Sequence, residues 1–188
     1  MNPRWSILLA ALFAMSCMTN NKNSGLVINK VILGTATTNP GPPPTTVCSY
    51  DPSAAEFDFA QINPAANTGG VMGVVVQNNL ISPATLNPVL RGNSATFHPH
   101  QVVADYEVIG GTTVRTQIIP VSGTVLASAT GSVLVPFFSP IPATMLSGII
   151  RVTFHVEGNL DDGSTVRTSE REYIFVTCSA AGCNSACL

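Results

Sequence analysis

Charge is scarce in this chain. Only 10% of its residues are Asp, Glu, Lys or Arg, and eight basic against ten acidic side chains leave a formal net charge of −2. An ordinary soluble protein carries about 25% charged residues. No stretch gathers Lys and Arg together, which argues against a nucleic-acid partner, because phosphate binding is driven by such clusters. Disorder does not follow from the low charge, since Val, Ile and Leu are plentiful while Thr, Ser and Asn supply the polarity. Long apolar runs are missing too. The longest, Trp5 to Ala14 broken only by Ser6, falls short of the roughly 20 residues that cross a bilayer. There is no helical period of useful length and no internal repeat. There is no Cys-x-x-Cys, no Gly-x-Ser-x-Gly nucleophile elbow and no calcium-loop spacing. No catalytic set and no cofactor motif is left standing.

What is present begins with the leader "MNPRWSILLAALFAMSC". Arg4 and the α-amino group make a positive start, an apolar stretch follows, and small residues precede Cys17. Taken with Cys17, this resembles a bacterial lipoprotein signal peptide. The resemblance implies that residues 1–16 are removed and that Cys17 becomes the first residue, carrying acyl chains such as palmitate. Several chains anchor a protein almost permanently, whereas one holds it only marginally. Met18 in the next position resembles the signal for outer-membrane delivery in envelopes with two membranes. An ordinary secretory leader cleaved near Ser16, with Cys17 a spare thiol, is the other reading. Residues 17–24, polar and without periodicity, suit a tether.

Removing sixteen residues leaves 172, enough for a hydrophobic core. Strand signals dominate it. "GLVINKVIL" at 25–33 is a first strand, followed by an extended Pro-rich segment with a loop at 40–44 that cannot enter a central ladder. Phe57 and Phe59 then share a face opposite Glu56 and Asp58. Residues 71–77 are the strongest single strand, with Gly73 a bulge or a crowded position. Val102, Ala104, Tyr106 and Val108 oppose Asp105 and Glu107, and Val114, Thr116 and Ile118 oppose Arg115 and Gln117. Gly110-Gly111 between these runs is a hairpin signal. "GSVLVPFF" is a short strand stopped by Pro136, and "SPIPATML" a loop or one helical turn. Ile150, Val152, Phe154 and Val156 oppose Arg151, Thr153, His155 and Glu157. After "GNLDDG", a turn held by Asp161, Asp162 and Gly163, a long arm returns over 164–177 with a bulge near Ser169 to Arg171. Period two in both arms is a strand signature. Eight or nine strands with regular turns predict an all-β, two-layer antiparallel β-sandwich over 25–178, immunoglobulin-like in the loose sense; a jelly roll or small barrel is the alternative. Residues 21–24 and 36–46 are expected to be the least ordered.

The layout "CSYDPSAAEFDF", "VMGVVVQNNL", "LRGNSATFHPHQVVADYEV" and the terminal "VTCSAAGCNSAC" resembles a group of outer-membrane lipoproteins from myxobacteria and relatives, largely without assigned function. The resemblance implies place and fold class.

With Cys17 lipidated, Cys48, Cys178, Cys183 and Cys187 remain. In an oxidising compartment they predict two disulfides. Cys48–Cys178 with Cys183–Cys187 is the preferred pairing of three, the latter closing the tail 179–188. A four-cysteine zinc site is the sharper alternative, loosely served by Cys183-x₃-Cys187 and Cys178-x₄-Cys183. His98 and His100, two apart, are candidate Zn²⁺ or Cu²⁺ ligands with Asp105 or Glu107 nearby, against the plainer reading of a solvent-facing pair. His155 lies on the polar face of its strand. Glu170 and Glu172 are set two apart, yet paired carboxylates hydrolyse glycosides only at matched separation across a cleft. Tyr50, Tyr106 and Tyr173 all sit in or beside strands, which leaves a sugar site without an exposed tyrosine. The expected function is a non-catalytic, lipid-anchored envelope protein that holds a structural place or binds an envelope partner. A carbohydrate- or metal-binding protein, or an enzyme, working through sandwich-end loops is the alternative.

Overall fold

A computed structural model describes residues 25–43, 45–62, 70–81, 95–111, 114–138 and 148–178. Residues 1–24 with Cys17, the segments 82–88 and 139–146, and residues 179–188 with Cys183 and Cys187 lie outside the described residues. These fold as β1 (Leu26–Leu33), β2 (Thr35–Asn39), β3 (Thr45–Ser49), β4 (Phe59–Ile62), β5 (Val71–Asn78), β6 (Phe97–Val108), β7 (Val114–Pro120), β8 (Ala129–Pro136), β9 (Ile149–Leu160), β10 (Thr165–Arg167) and β11 (Arg171–Thr177). No helix occurs among them. One sheet has the order β1-β5-β8; the other runs β4-β11-β9-β6-β7, with β10 also on β9. The sheets do not close into a barrel, so the sandwich holds. It is not wholly antiparallel, because β4 runs parallel to β11.

The alternation of β9 sets the core. Ile150, Val152, Phe154 and Val156 are buried and meet Met72, Val74 and Val76 of β5 and Val133 and Val135 of β8 in one apolar cluster. Past Pro136 the chain turns with Phe138 at φ 59°, a conformation that costs an L-residue about 1–2 kcal/mol. The turn sends Phe137 and Phe138 both inward. Their rings lie edge-on to Phe154 at 5.1 Å and to Phe175 at 4.7 Å, a favoured aromatic geometry.

β5 is buried on both sides. Gly73 and Val75 face away from the main core, and a Cβ on Gly73 would lie 2.6 Å from Ile32 Cγ1, so the crowded reading of this glycine is correct. The segment after β3 covers this face: Tyr50 Oη donates to the Val71 carbonyl at 2.9 Å and Lys30 Nζ to that of Ala54 at 2.5 Å. A bulge at Asn29 shifts the phase of β1, so Leu26 and Ile28 and then Val31 reach the same core.

The Pro-rich segment stays out of the central ladders as expected, and its flanks are ordered: β2 and β3 pair as a separate two-stranded hairpin, Thr35 opposite Ser49 through Asn39 opposite Thr45. Its prolines occupy the tip, and the hairpin joins neither main sheet, which reconciles proline with pairing. On β7 the inward face is the other one. Ile119 pairs with buried Val102 while Ile118 is 62% exposed; cross-strand partners share a face, so the partner strand decides the phase. At 56–62, Ala60 and Ile62 fill the core, and Phe57 and Phe59 point outward, 55% and 47% exposed.

The return arm breaks where its alternation slips. Arg167 opposes Glu157 and Arg171 opposes Phe154, four residues against three. Thr168, buried in the gap, accepts from the Val156 amide at 3.0 Å, and the Ser169 amide reaches across to the Leu26 carbonyl of the other sheet at 3.1 Å.

Candidate functional site

The two histidines do not converge. A bulge between Pro99 and Gln101 throws His100 to the surface. His98 Nε2 instead lies 2.6 Å from Asp161 Oδ1 in the adjoining turn. The acidic partners expected for a metal are engaged elsewhere: Asp105 accepts from Thr116 Oγ1 at 2.5 Å, and Glu107 faces Arg151 at 3.6 Å. Among the described residues no three His, Cys, Asp or Glu side chains are placed to hold a metal ion. In the β9–β10 turn, Asp162 accepts the Ser164 amide at 2.9 Å and hydroxyl at 2.6 Å, and Gly163 takes φ 82°. The hairpin-turn reading of this stretch is therefore the structural one.

A small polar cluster on the outer face of β6 and β9 was not anticipated. Glu157 accepts from Gln101 Nε2 at 2.6 Å and lies 3.1 Å from His155 Nε2. The Gln101 amide, then the His155 ring, hold its carboxyl below the ordinary value against the opposing effect of burial. A depressed folded-state pKa stabilises above the unfolded value and is lost as pH falls through the folded one. Asp51, Asp161 and Asp162 are lowered as well, by hydrogen bonds from Ser53, His98 and Ser164. Stability against urea should therefore fall from about pH 5 to about pH 3. The fall should be smaller in Glu157→Gln; an equal fall would show that Glu157 has no part in it.

The described surface offers two depressions with usable chemistry. One, about 450 Å³, is lined by Pro120, Val121, Ser122, Ser132 and Leu134 and carries no ionisable group among them. The other, an open groove of about 300 Å³, lies between the segment 56–58 and the start of β11. Its geometry rests on Glu56. One carboxylate oxygen accepts the Val31 amide at 3.0 Å, on the outer edge of β1, and the other accepts Arg171 Nη2 at 2.6 Å. Glu56 thereby fastens the edge of the three-stranded sheet to the six-stranded one, and fixes Phe57 and Asp58 beside Arg171, Glu172 and Ile174. Arg171 Nε is buried and has no hydrogen-bond partner among the described residues. Tyr173 lies beneath, its phenol pushed up by burial and further by the negative charges of Glu56 and Asp58.

Of the sequence candidates, Glu172 and Tyr173 line this groove, whereas Glu170 precedes β11, in the break where the pairing slips. Phe57, Asp58 and Arg171 were missed as site residues. The alternation of "EFDF" was visible, yet which face is wet depends on β11. The contact between Glu56 and Arg171 joins positions 115 apart and leaves no local signal. Cys48 is exposed on β3. Cys178 follows β11, its amide donating to the Ile62 carbonyl at 3.0 Å. No family model and no curated protein sequence matches the chain.

Proposed function

We propose that the chain is a non-catalytic protein of the bacterial cell envelope, lipid-anchored through Cys17 and addressed to the outer membrane by the Met18 signal, and that its sandwich serves as a structural or partner-binding module. The observation that carries the reading is the order of parts: an apolar leader ending at Cys17, a short polar tether, then a β-sandwich beginning at Leu26. Such scaffolds host many functions, so the fold alone names none.

The test is the intact mass of the protein recovered from membranes. It should begin at Cys17 and carry acyl mass, and Cys17→Ser should abolish that mass. A chain starting after Cys17, or one free of lipid, rules out the anchor. Recovery of a stoichiometric envelope partner on a C-terminally tagged chain supports the module; a monomer that retains glycan or metal supports the alternative.

Two disulfides among Cys48, Cys178, Cys183 and Cys187 belong to the same reading. It is supported by the even number of cysteines, four, that remains beside Cys17. An isolated hairpin is marginal in water, and Cys48 sits on the β2–β3 hairpin, outside both main sheets. A bridge from Cys48 would tie that hairpin to the C-terminal end of the fold. Non-reducing peptide mapping of the same sample reads the pairing; four free thiols, or one bound zinc per chain, would overturn it.

A further inference from the structure

The groove at β11 carries more negative charge than its own residues neutralise. Glu56, Asp58 and Glu172 face a single guanidinium, Arg171, which makes three carboxylates against one cation, a net of −2. Glu56 is committed to Arg171 and to the Val31 amide. Asp58 and Glu172 are exposed, and neither makes a hydrogen bond or ion pair within the described residues. Neither Lys30, which donates to the Ala54 carbonyl, nor Arg151, which pairs with Glu107, lines the groove. Phe57 lines the same groove as Asp58 and Glu172, and Phe57 and Phe59 are both exposed.

An aromatic face attracts a cation through its quadrupole, and ionised carboxylates add strong, directional hydrogen bonds to ammonium or guanidinium. An aromatic ring flanked by free carboxylates is thus matched to a positive side chain beside an apolar one. We propose that this groove binds a basic segment of a partner protein, seating a Lys or Arg side chain between Phe57, Asp58 and Glu172 and an apolar neighbour on Phe59. Anionic surfaces, whether phospholipid or nucleic acid, are repelled by the same charge. A neutral glycan would draw on the ring and gain nothing from the uncompensated charge.

The inference rests on the partner-binding reading above. It is tested with the mature chain, ¹⁵N-labelled and held in neutral detergent, titrated with a synthetic peptide of alternating lysine and leucine. Shifts should be confined to residues 56–59 and 171–174. Binding should weaken about tenfold or more in Phe57→Ser and in Asp58→Asn/Glu172→Gln, and should fall steeply between ~20 and ~200 mM salt. All three positions are exposed or at the groove rim, so the fold should survive. Asp58→Lys/Glu172→Lys should turn the preference to a peptide of alternating glutamate and leucine. No binding at millimolar peptide, shifts elsewhere, or affinity unchanged in these variants would overturn the site. So would a neutral oligosaccharide that binds there equally well in Asp58→Asn/Glu172→Gln. An envelope partner whose cross-links avoid residues 56–59 and 171–174 removes this site and leaves the module reading intact; the absence of any partner removes the module reading itself.

Discussion

Gly158→Ala should cost about 3 kcal/mol or more, the upper end of what overpacking a core does. Gly158 sits in the middle of the long β6–β9 ladder, opposite Pro99 at the bulge. A Cβ there would lie 2.3 Å from the His98 carbonyl oxygen, 2.8 Å from its carbon and 2.5 Å from Phe97 Cε2. Two of those atoms are backbone and cannot swing aside. Phe97 is fully buried and tied to Val125 by hydrogen bonds of 2.9 and 2.8 Å in both directions, so its ring has nowhere to go either. Relief requires β6 and β9 to part, which breaks the pairing on either side. For a domain of this size the loss corresponds to a fall in Tm of roughly 6–12 °C. Gly163→Ala is the control. Nothing lies within 4 Å of its would-be Cβ, and its φ of 82° makes the cost purely conformational, about 1–2 kcal/mol. Urea melts of the two variants side by side decide the matter: equal losses would mean that the β6–β9 ladder can open at the bulge without penalty.

Asn78→Ala should be nearly as damaging, at about 2–4 kcal/mol. Asn78 ends β5 and is fully buried. Its Nδ2 donates to the Ala95 carbonyl at 2.6 Å and the Val125 carbonyl at 3.2 Å, while its Oδ1 accepts the Leu80 amide at 3.0 Å. One side chain thus links the approach to β6, the segment at Val125 and the chain leaving β5. Alanine leaves the Leu80 amide without this acceptor and opens a cavity. Asn78→Asp keeps the shape but turns a carboxylate toward two carbonyl oxygens. It should be at least as destabilising at neutral pH, and part of the loss should return on acidification, when the buried carboxyl takes up a proton. Equilibrium unfolding of both variants at two pH values reads this out, and an Asn78→Ala protein as stable as the parent would show that the three segments hold without it.

Much of the strand content could be read from residue order. In β9 the buried and wet positions alternate without a slip for eight residues, and the break in its partner arm was visible at Ser169 to Arg171. The burial of Gly73 could also be expected, since a glycine within so apolar a run needs a reason. The errors share one cause. At β7 and at Phe57 to Ile62, apolar residues occupy both parities, so the local pattern fits either face. There the register with β6 and β11 decides, through Val102 opposite Ile119 and Phe175 opposite Ala60.

The candidate site shows the same division more sharply. Residue order alone determined an all-β chain with period-two strands and a carboxylate-bearing turn at 161–163. Tertiary structure alone decided that His98 turns to Asp161 and away from His100, that Glu56 joins the two sheets through Val31 and Arg171, and that Phe57 is left facing water in a groove it shares with Asp58 and Glu172. The physical reason is range. Alternation and turn chemistry act between residues a few positions apart and are written locally, whereas a groove is made by segments that meet only after the sheets have packed, and its charge balance is a sum over residues more than a hundred positions apart.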